Sequence, residues 1–250
     1  MIISNPTYLP ILQRILGDGC DFGLQLAYAA QPKPEGLAQA FLICEAFLAV
    51  ATATLILGGN LIFGQDLTRL LVSANSRKVG ATIFGYRIKN PSAFWVVEFD
   101  DHQKVLSIEE KLTAPKSHYA VPSLYYYDVG VCEMAKQIKT SPRGKLEITD
   151  SNALYLQQGH LHMELFGRGT AWLDMGTHES FHRASLYVEL IQSTQGFKIA
   201  NLEEIAFRKG WITANQLERT LGTLAITGYT QYLQDFIQDP GHKNPNICAG

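Results

Sequence analysis

The sequence predicts an α/β fold in which helices cover a doubly wound, mostly parallel sheet. Apolar, β-branched segments alternate with amphipathic helical segments between Ile2 and Ile88. This rhythm is typical of parallel strands joined by right-handed crossovers. One apolar segment, residues 54–57, ends abruptly at Gly58–Asn60. Because ligands of open α/β sheets bind beyond the carboxyl ends of the strands, we expect the functional site at this turn.

The first third of the chain alternates segments of strand length with segments of helical spacing. Residues 2–4 are predicted to form a short strand, after which Leu9, Leu12 and Leu16 recur on one face of a helix. The segments that follow are a strand at 23–29, a proline-stiffened loop at 31–36, a helix at 37–48, the strand at 54–57, a helix that Asp66 caps and a strand at 81–88.

From Trp95 onward turns replace helices between the strands, which predicts an antiparallel insertion. The predicted elements are strands at 95–99, 105–109 and 119–127, a helix from the Asp128 cap to Ile138, a helix at 147–158, a strand at 161–166, a short strand between loops at 167–169 and 172–176, and a long helix after the Thr177 cap. We divide the chain into an α/β core at 1–196 and a helical appendage with a tail at 197–250.

Composition and charge exclude several classes of protein. The chain has 250 residues, 46% of them hydrophobic, and 21 Lys plus Arg against 23 Asp plus Glu. With a net charge of −2 and no basic tract, we expect no nucleic-acid partner. The four cysteines form no CxxC pair, and we interpret Cys20, Cys44 and Cys132 as small core residues of a protein in a reducing compartment. The N-terminus lacks a secretory pattern, so we expect a cytoplasmic protein.

One uncharged segment has nearly the length of a membrane helix. Residues 46–65 contain no charged side chain, and a membrane span needs about 20 apolar residues. Gly58–Asn60 interrupt the segment, however, and its flanks have no cluster of Lys and Arg. We therefore favour a buried helix end followed by a buried strand, and expect no membrane span.

Residues His178–His182 match the HExxH pattern of zinc peptidases. On a helix this spacing places two imidazoles on one face beside a glutamate base. The pattern falls in the first turn after Thr177, and no HxxGxxH continuation follows it. An exposed pair of histidines is therefore favoured, and a metallopeptidase stays a distant alternative.

Polar side chains at predicted strand ends suit a nucleotide-sugar site better. An amide can pair with a nucleobase edge, cations can hold a phosphate, and a carboxylate can hold Mg²⁺. Each residue taken singly also fits a solvated surface charge or an ion pair of the fold. The residues are Gln31, Glu110, Lys111, Arg168 and Asp174.

Many segments closely resemble bacterial glucose-1-phosphate thymidylyltransferases, over about residues 2–233. The matching strings are LGDG, GLQLAYAAQPKPEGLAQAF, LILGGN, GATIFGYRI, VVEFD, SIEEK, PKSHYAVPSLYYYD, RGKLEITD, GRGTAWLDMGTHES and EEIAFRKGWI. The resemblance implies a nucleotide-diphospho-sugar transferase-like core, usually in a homo-oligomer. It also implies the conversion of dTTP and glucose 1-phosphate to dTDP-glucose and pyrophosphate, within dTDP-rhamnose biosynthesis.

The resemblance also implies a role for each candidate residue. In the family such groups read the thymine, hold the sugar and its phosphate, and bind Mg²⁺. Carried over to this sequence, Gln31 and the backbone at Gly36 would read thymine, Glu110 and the backbone at Val121 would contact the sugar, Lys111 and Arg168 would hold the phosphate, and Asp174 would bind Mg²⁺.

Several departures from the family fall at the expected site. Met1 aligns with the second strand of the family, so the phosphate-binding loop GGxGTRL and the lysine after it have no counterpart in this sequence. Gly59 stands where the family turn LGDN carries the first magnesium carboxylate. Trp95 replaces a glycine beside the sugar pocket, and Pro122 removes a backbone N–H.

These departures predict a chain with impaired or no nucleotidyl transfer by itself. Three alternatives remain open from the sequence. The first alternative is a fragment. The second is a non-catalytic assembly partner or regulatory subunit of a full-length paralogue, which uses the helix around 186–190 and the C-terminal helices. The third and most distant is a zinc peptidase. We expect Mg²⁺ binding to be weakened, with dTTP and glucose 1-phosphate as the ligands.

Overall fold

The structure, a computed structural model, describes residues 1–110 and 115–238. The chain divides into two compact units, of which the larger is Lys33–Thr177 and the smaller combines Met1–Pro32 with the chain from His178 onward. The predicted boundary between residues 196 and 197 stays a prediction.

The elements follow one another in this order. The first are β1 (Ile2–Ser4), α1 (Leu9–Leu16), β2 (Tyr28–Ala30), α2 (Gln39–Ile43), α3 (Glu45–Leu48), β3 (Ala53–Ile56), β4 (Asn60–Phe63), α4 (Leu67–Ser76), β5 (Ala81–Arg87), β6 (Trp95–Phe99) and β7 (Val105–Glu110). The others are β8 (Tyr119–Ala120), β9 (Leu124–Tyr127), α5 (Val131–Gln137), α6 (Ile148–Gln157), β10 (Leu161–Leu165), β11 (Ala171–Asp174), α7 (His178–Gln195), α8 (Leu202–Arg208), α9 (Ala214–Thr223) and α10 (Gly228–Gln238).

The larger unit is built on a central sheet of order β3-β9-β5-β8-β6-β7, with β10 beside β5. β5 and β10 pair in parallel, whereas β9 runs antiparallel to both of its neighbours, β3 and β5. β3, β5 and β10 therefore point the same way, as the alternation of strands and helices predicts. β6, β7 and β8 form the predicted antiparallel insertion. The α/β class with a central sheet is confirmed.

Three predicted elements differ from the observed ones, and one observed strand was not predicted. The helix at 37–48 breaks at Cys44, and the strand at 119–127 splits around Pro122, which has no N–H to donate to a ladder. The strand at 23–29 is reduced to β2, after a 3-10 turn at Cys20–Phe22. Residues Asn60–Phe63, for which no strand was predicted, form β4 and pair with β11.

A partly buried carboxylate ties the sheet to two helices of the larger unit. Asp128 was predicted to be the N-cap of a helix, but Gly130 occupies that position in α5. The Asp128 carboxylate instead accepts hydrogen bonds from the Gly80 N–H at 2.6 Å, the Gly130 N–H at 2.9 Å and the Tyr155 hydroxyl at 2.7 Å. Burial, and then the hydrogen bond to Asp128, raise the pKa of Tyr155 well above its usual value.

The uncharged segment at 46–65 does not form one helix. It contains α3, β3, the turn at Gly58–Asn60 and β4. Among residues 1–110 and 115–238, no helix combines the length and the hydropathy that a membrane crossing requires.

The cysteines differ from the prediction at one position. Cys44 and Cys132 are buried, as predicted, whereas Cys20 is exposed at the first residue of the 3-10 turn and is not a core residue. Cys248 lies outside the described residues.

The smaller unit contains a parallel pair, β1 and β2, and the helices α7–α10. Asn201 and Thr213 cap α8 and α9 with their side chains, the latter in a reciprocal capping box with Gln216. The apolar core of this unit consists of Ala206, Ile212, Leu217, Leu221 and Leu233. The predicted C-terminal helices are thus confirmed up to Gln238.

Replacing Gly36 by alanine is expected to destabilise the larger unit by about 2–3 kcal/mol. The residue has a φ of +107°, and an added Cβ would lie 2.2 Å from the Leu146 carbonyl oxygen. Gly58→Ala is the matched control, because a Cβ at Gly58 meets nothing within 4 Å. Urea unfolding measures both variants, and equal midpoints would contradict the role assigned to Gly36.

Stability is expected to fall above about pH 10, where an unfolded tyrosine ionises. The folded chain keeps the Tyr155 proton because the pKa of Tyr155 is raised. The contribution of Tyr155 to stability is therefore fully present below pH 10, and it is lost as the pH rises and the unfolded chain ionises. For each tyrosine proton that only the folded chain retains, the free energy of unfolding falls by about 1.4 kcal/mol per pH unit. Tyr155→Phe should lower the free energy of unfolding by about 1–2 kcal/mol at pH 7 and make the alkaline slope shallower. An unchanged slope in urea titrations from pH 7 to 11 would refute this.

Candidate functional site

The turn predicted to organise the site follows β3 and leads directly into β4. The Leu57 N–H donates to the Ser123 carbonyl at 3.1 Å, which attaches the turn to the segment between β8 and β9. A Cβ built on Gly58 or on Gly59 would meet nothing within 4 Å. The turn is therefore held at its base while its two glycines border open space.

Asp174 lies beside this turn because β4 and β11 pair in antiparallel register. Asn60 is directly opposite Asp174, and the Met175 N–H donates to the Gly59 carbonyl at 2.8 Å. The Asp174 side chain is partly buried. The structure thus places Gly59 and Asp174 on neighbouring backbone segments.

An aromatic side chain connects this pair to a second part of the site. The Trp172 indole N–H donates to the Asn60 side-chain oxygen at 2.7 Å. The Trp172 ring also contacts Phe94 edge-on, with the centroids 5.1 Å apart. Trp172 therefore links the turn to the start of β6.

The second part of the site lies where β6, β7 and β8 meet. Trp95 at the start of β6 stands opposite Glu110 at the end of β7. The Val121 N–H donates to the Trp95 carbonyl at 2.8 Å, so this N–H is already engaged within the protein. Trp95 packs against the main apolar core. Backbone pairing thus brings Trp95, Val121 and the Glu110 position together.

The charged groups next to this region are largely engaged with one another. Lys116 lies 2.7 Å from a Glu109 oxygen and 3.7 Å from a Glu98 oxygen. The hydrogen bond and the charge of Glu109 raise the pKa of Lys116. Burial raises the pKa of Tyr125, on the neighbouring β9, to about 12, so this hydroxyl stays protonated at neutral pH. Neither group supplies an acid or a base to the site.

The other predicted site residues lie elsewhere or outside the described chain. Lys111 lies outside the described residues. Arg168 is exposed in the loop before β11, at the opposite end of that strand from Asp174. Gln31 belongs to the smaller unit, where its N–H donates to the Ser4 carbonyl at 2.8 Å. Their roles stay predictions.

Gly36 lies in a segment that pairs with the segment around Leu146, a contact that the sequence did not predict. The Leu146 N–H donates to the Glu35 carbonyl at 2.7 Å, and the Ala38 N–H donates to the Leu146 carbonyl at 3.2 Å. Arg143 is on the same partner segment and forms an ion pair with Glu147 at 3.1 Å. Arg143 belongs to the RGKLEITD string, but it lies in a turn and not at a predicted strand end, so it was not among the candidate site residues.

The donor set for a divalent cation is small. Within residues 1–110 and 115–238, no group of three or more His, Cys, Asp or Glu side chains converges on one point. Asp174 offers one carboxylate, and the nearby Asn60 oxygen already accepts from Trp172. Mg²⁺ is often held by one or two carboxylates together with substrate phosphates. Asp174 therefore fits as a single protein ligand to Mg²⁺ bound with a nucleotide.

The HExxH segment forms the first turn of α7, as predicted. His178 and His182 are exposed, and Glu179 lies 3.7 Å from Arg183 in an exposed ion pair. None of these residues belongs to a group of metal ligands in the described chain.

Comparisons with known proteins agree with this architecture. The family model described as nucleotidyl transferase matches residues 1–190. Glucose-1-phosphate thymidylyltransferase of Neisseria gonorrhoeae is 49% identical over 237 residues, which are 95% of this chain and 82% of that protein. The enzyme of the same name from Mycolicibacterium smegmatis is 48% identical over 233 residues, 93% of this chain and 81% of that protein.

A solved structure supports the same assignment. It is a glucose-1-phosphate thymidylyltransferase from Bacillus anthracis in complex with a sucrose, with a TM-score of 0.71 and 33% identity, covering 81% of this chain and 78% of that one. A UDP-glucose pyrophosphorylase with bound UDP-glucose, at 20% identity and a TM-score of 0.54, shares the fold. The chain belongs to the nucleotidyl transferase family.

Proposed function

We propose that this chain is a glucose-1-phosphate thymidylyltransferase homologue that binds nucleotide and sugar phosphate but transfers the nucleotidyl group poorly. The observation that carries this proposal is the position of Gly59 beside Asp174, across the β4–β11 pair. The resemblance places a magnesium carboxylate at this turn position, and this chain has a glycine there. The proposed lesion is thus the loss of one of two metal carboxylates.

The geometry of the turn supports a missing ligand rather than a rearranged one. Gly59 has no positive φ, and a Cβ there would meet open space. A side chain at this position would therefore be tolerated, so that neither backbone strain nor crowding explains the glycine. Asp174 alone leaves more of the negative charge of a bound triphosphate to be neutralised by other groups.

The sugar side of the site supports altered binding. Trp95 lies opposite the Glu110 position, and its carbonyl engages the Val121 N–H. In the proposed site Glu110 accepts hydrogen bonds from sugar hydroxyls, and the Val121 backbone lines the pocket. A tryptophan in place of the family glycine reduces the space for the sugar ring.

The reaction of the family requires little covalent chemistry from the protein. The sugar phosphate attacks the α-phosphorus in line, and catalysis depends on positioning and on charge neutralisation. Asp174 would hold Mg²⁺, and the bound ion would supply positive charge that offsets the charge developing on the phosphates. In this proposal Lys111 and Arg168 hold the sugar phosphate, Gln31 and the Gly36 backbone read the thymine, and Asp174 holds the metal.

Pyrophosphate release measures the proposed impairment. With dTTP, glucose 1-phosphate and Mg²⁺, we expect this chain to turn over at least about 100-fold more slowly than the Neisseria gonorrhoeae relative. The reason is that loss of one group that stabilises transition-state charge typically costs about 2.7–4 kcal/mol, roughly 10²–10³-fold in rate. The relative, assayed in the same buffer, is the positive control. A rate within about tenfold of the relative would overturn the proposal.

A further inference from the structure

Two buried thiols of the larger unit converge on one backbone oxygen. The Cys132 sulfur lies 3.5 Å from the Phe41 carbonyl oxygen, and the Cys44 sulfur lies 3.9 Å from the same atom. Cys44 follows the last residue of α2, and Cys132 is in the first turn of α5. Both are 8% exposed. Because both sulfur atoms contact one oxygen atom, the two thiols share one site although the cysteines are far apart in sequence.

The surroundings keep both thiols protonated under ordinary conditions. Burial is the main cause that raises the pKa of Cys44 and of Cys132, and Cys132 raises the pKa of Cys44 further. A protonated thiol reacts slowly because the thiolate is the nucleophile, and burial excludes bulky reagents. Only a small oxidant is expected to reach them in the folded chain. Cys20, by contrast, is exposed and belongs to the smaller unit.

We propose that Cys44 and Cys132 form a site of oxidative modification, which closes to an intramolecular disulfide on reaction with hydrogen peroxide. The peroxide oxidises one thiol to a sulfenic acid and is reduced to water. The second sulfur then attacks the sulfenic sulfur, the S–S bond forms, and the departing hydroxyl leaves as a second water with the remaining thiol proton. The two sulfurs together lose two electrons and two protons, and the peroxide accepts both.

The local backbone allows the sulfurs to turn towards each other. Cys44 lies between α2 and α3 with φ −100° and ψ 13°, outside regular helix geometry. The Cys44 N–H donates to the Ala40 carbonyl and the Cys44 carbonyl accepts from the Leu48 N–H, and rotation of the side chain about χ1 leaves both hydrogen bonds in place. Neither sulfur is engaged in a strong interaction, since a thiol is a weak donor to a carbonyl.

The bond would connect two elements that flank the Gly36 segment. Gly36 and Ala38 precede α2 directly, and Leu146, which contacts both, follows α5 in the chain. A covalent link between residues 44 and 132 would limit the separation of these elements in the unfolded chain and so raise the midpoint of thermal unfolding. It would also slow the opening of the Gly36 segment.

The test uses the full-length chain treated with hydrogen peroxide below its unfolding temperature, then digested without reduction for mass spectrometry. We expect one crosslinked peptide pair containing Cys44 and Cys132, lighter by two hydrogens than the sum of the free peptides. We also expect a higher midpoint of thermal unfolding, which dithiothreitol reverses. Cys20→Ser is the matched control and should retain both effects, whereas Cys44→Ser and Cys132→Ser should each abolish them.

Two results would overturn the proposal without depending on any variant. One is oxidation of exposed Cys20 in wild-type protein while Cys44 and Cys132 stay reduced, since Cys20 reports that the peroxide was active. The other is a disulfide that joins Cys44 or Cys132 to a different cysteine, or their separate conversion to sulfinic acids. Because the readout is the crosslink itself, it is independent of nucleotidyl transfer.

Discussion

The Asp128 carboxylate connects three elements of the larger unit through its hydrogen bonds. It joins the turn before β5, the start of α5 and the last turn of α6 through Gly80, Gly130 and Tyr155. Gly80 has a φ of +95°, and a Cβ there would lie 2.1 Å from the His160 carbonyl oxygen. A glycine is thus required where the chain enters β5, the strand that pairs with β8, β9 and β10. The three hydrogen bonds that this partly buried carboxylate accepts stabilise its position between the three elements.

The candidate site is built outward from this framework. β9 places the Val121–Ser123 segment, which holds both the turn after β3 and the carbonyl of Trp95. The β4–β11 pair then sets Asp174 beside Gly59, and Trp172 connects this pair to Phe94. The site is therefore positioned by backbone pairing rather than by a network of charges. Side chains at a site positioned in this way can change while the fold persists.

Sequence periodicity predicted the alternation of elements and the location of the turn at Gly58–Asn60. It did not predict β4, because its partner β11 is far away in the chain and pairing over such a separation leaves no local signal. The role of Asp128 was mistaken for helix capping, since an acidic residue before a helix has the same local pattern in both cases. The contact between Gly36 and Leu146 was missed for the same reason as β4. The prediction of the substrates came from the family resemblance and not from periodicity.

The central claim is that Gly59 leaves Asp174 without its partner ligand. Titration of Mn²⁺ into the dTTP-bound chain, followed by electron paramagnetic resonance of the free ion, measures this directly. We predict that Gly59→Asp binds the ion at least about tenfold, or about 1.4 kcal/mol, more tightly than wild type. Gly58→Asp, which adds the same charge one residue away in equally open space, should not bind the ion more tightly. Equal affinities for wild type and Gly59→Asp, or an equal gain from Gly58→Asp, would contradict it.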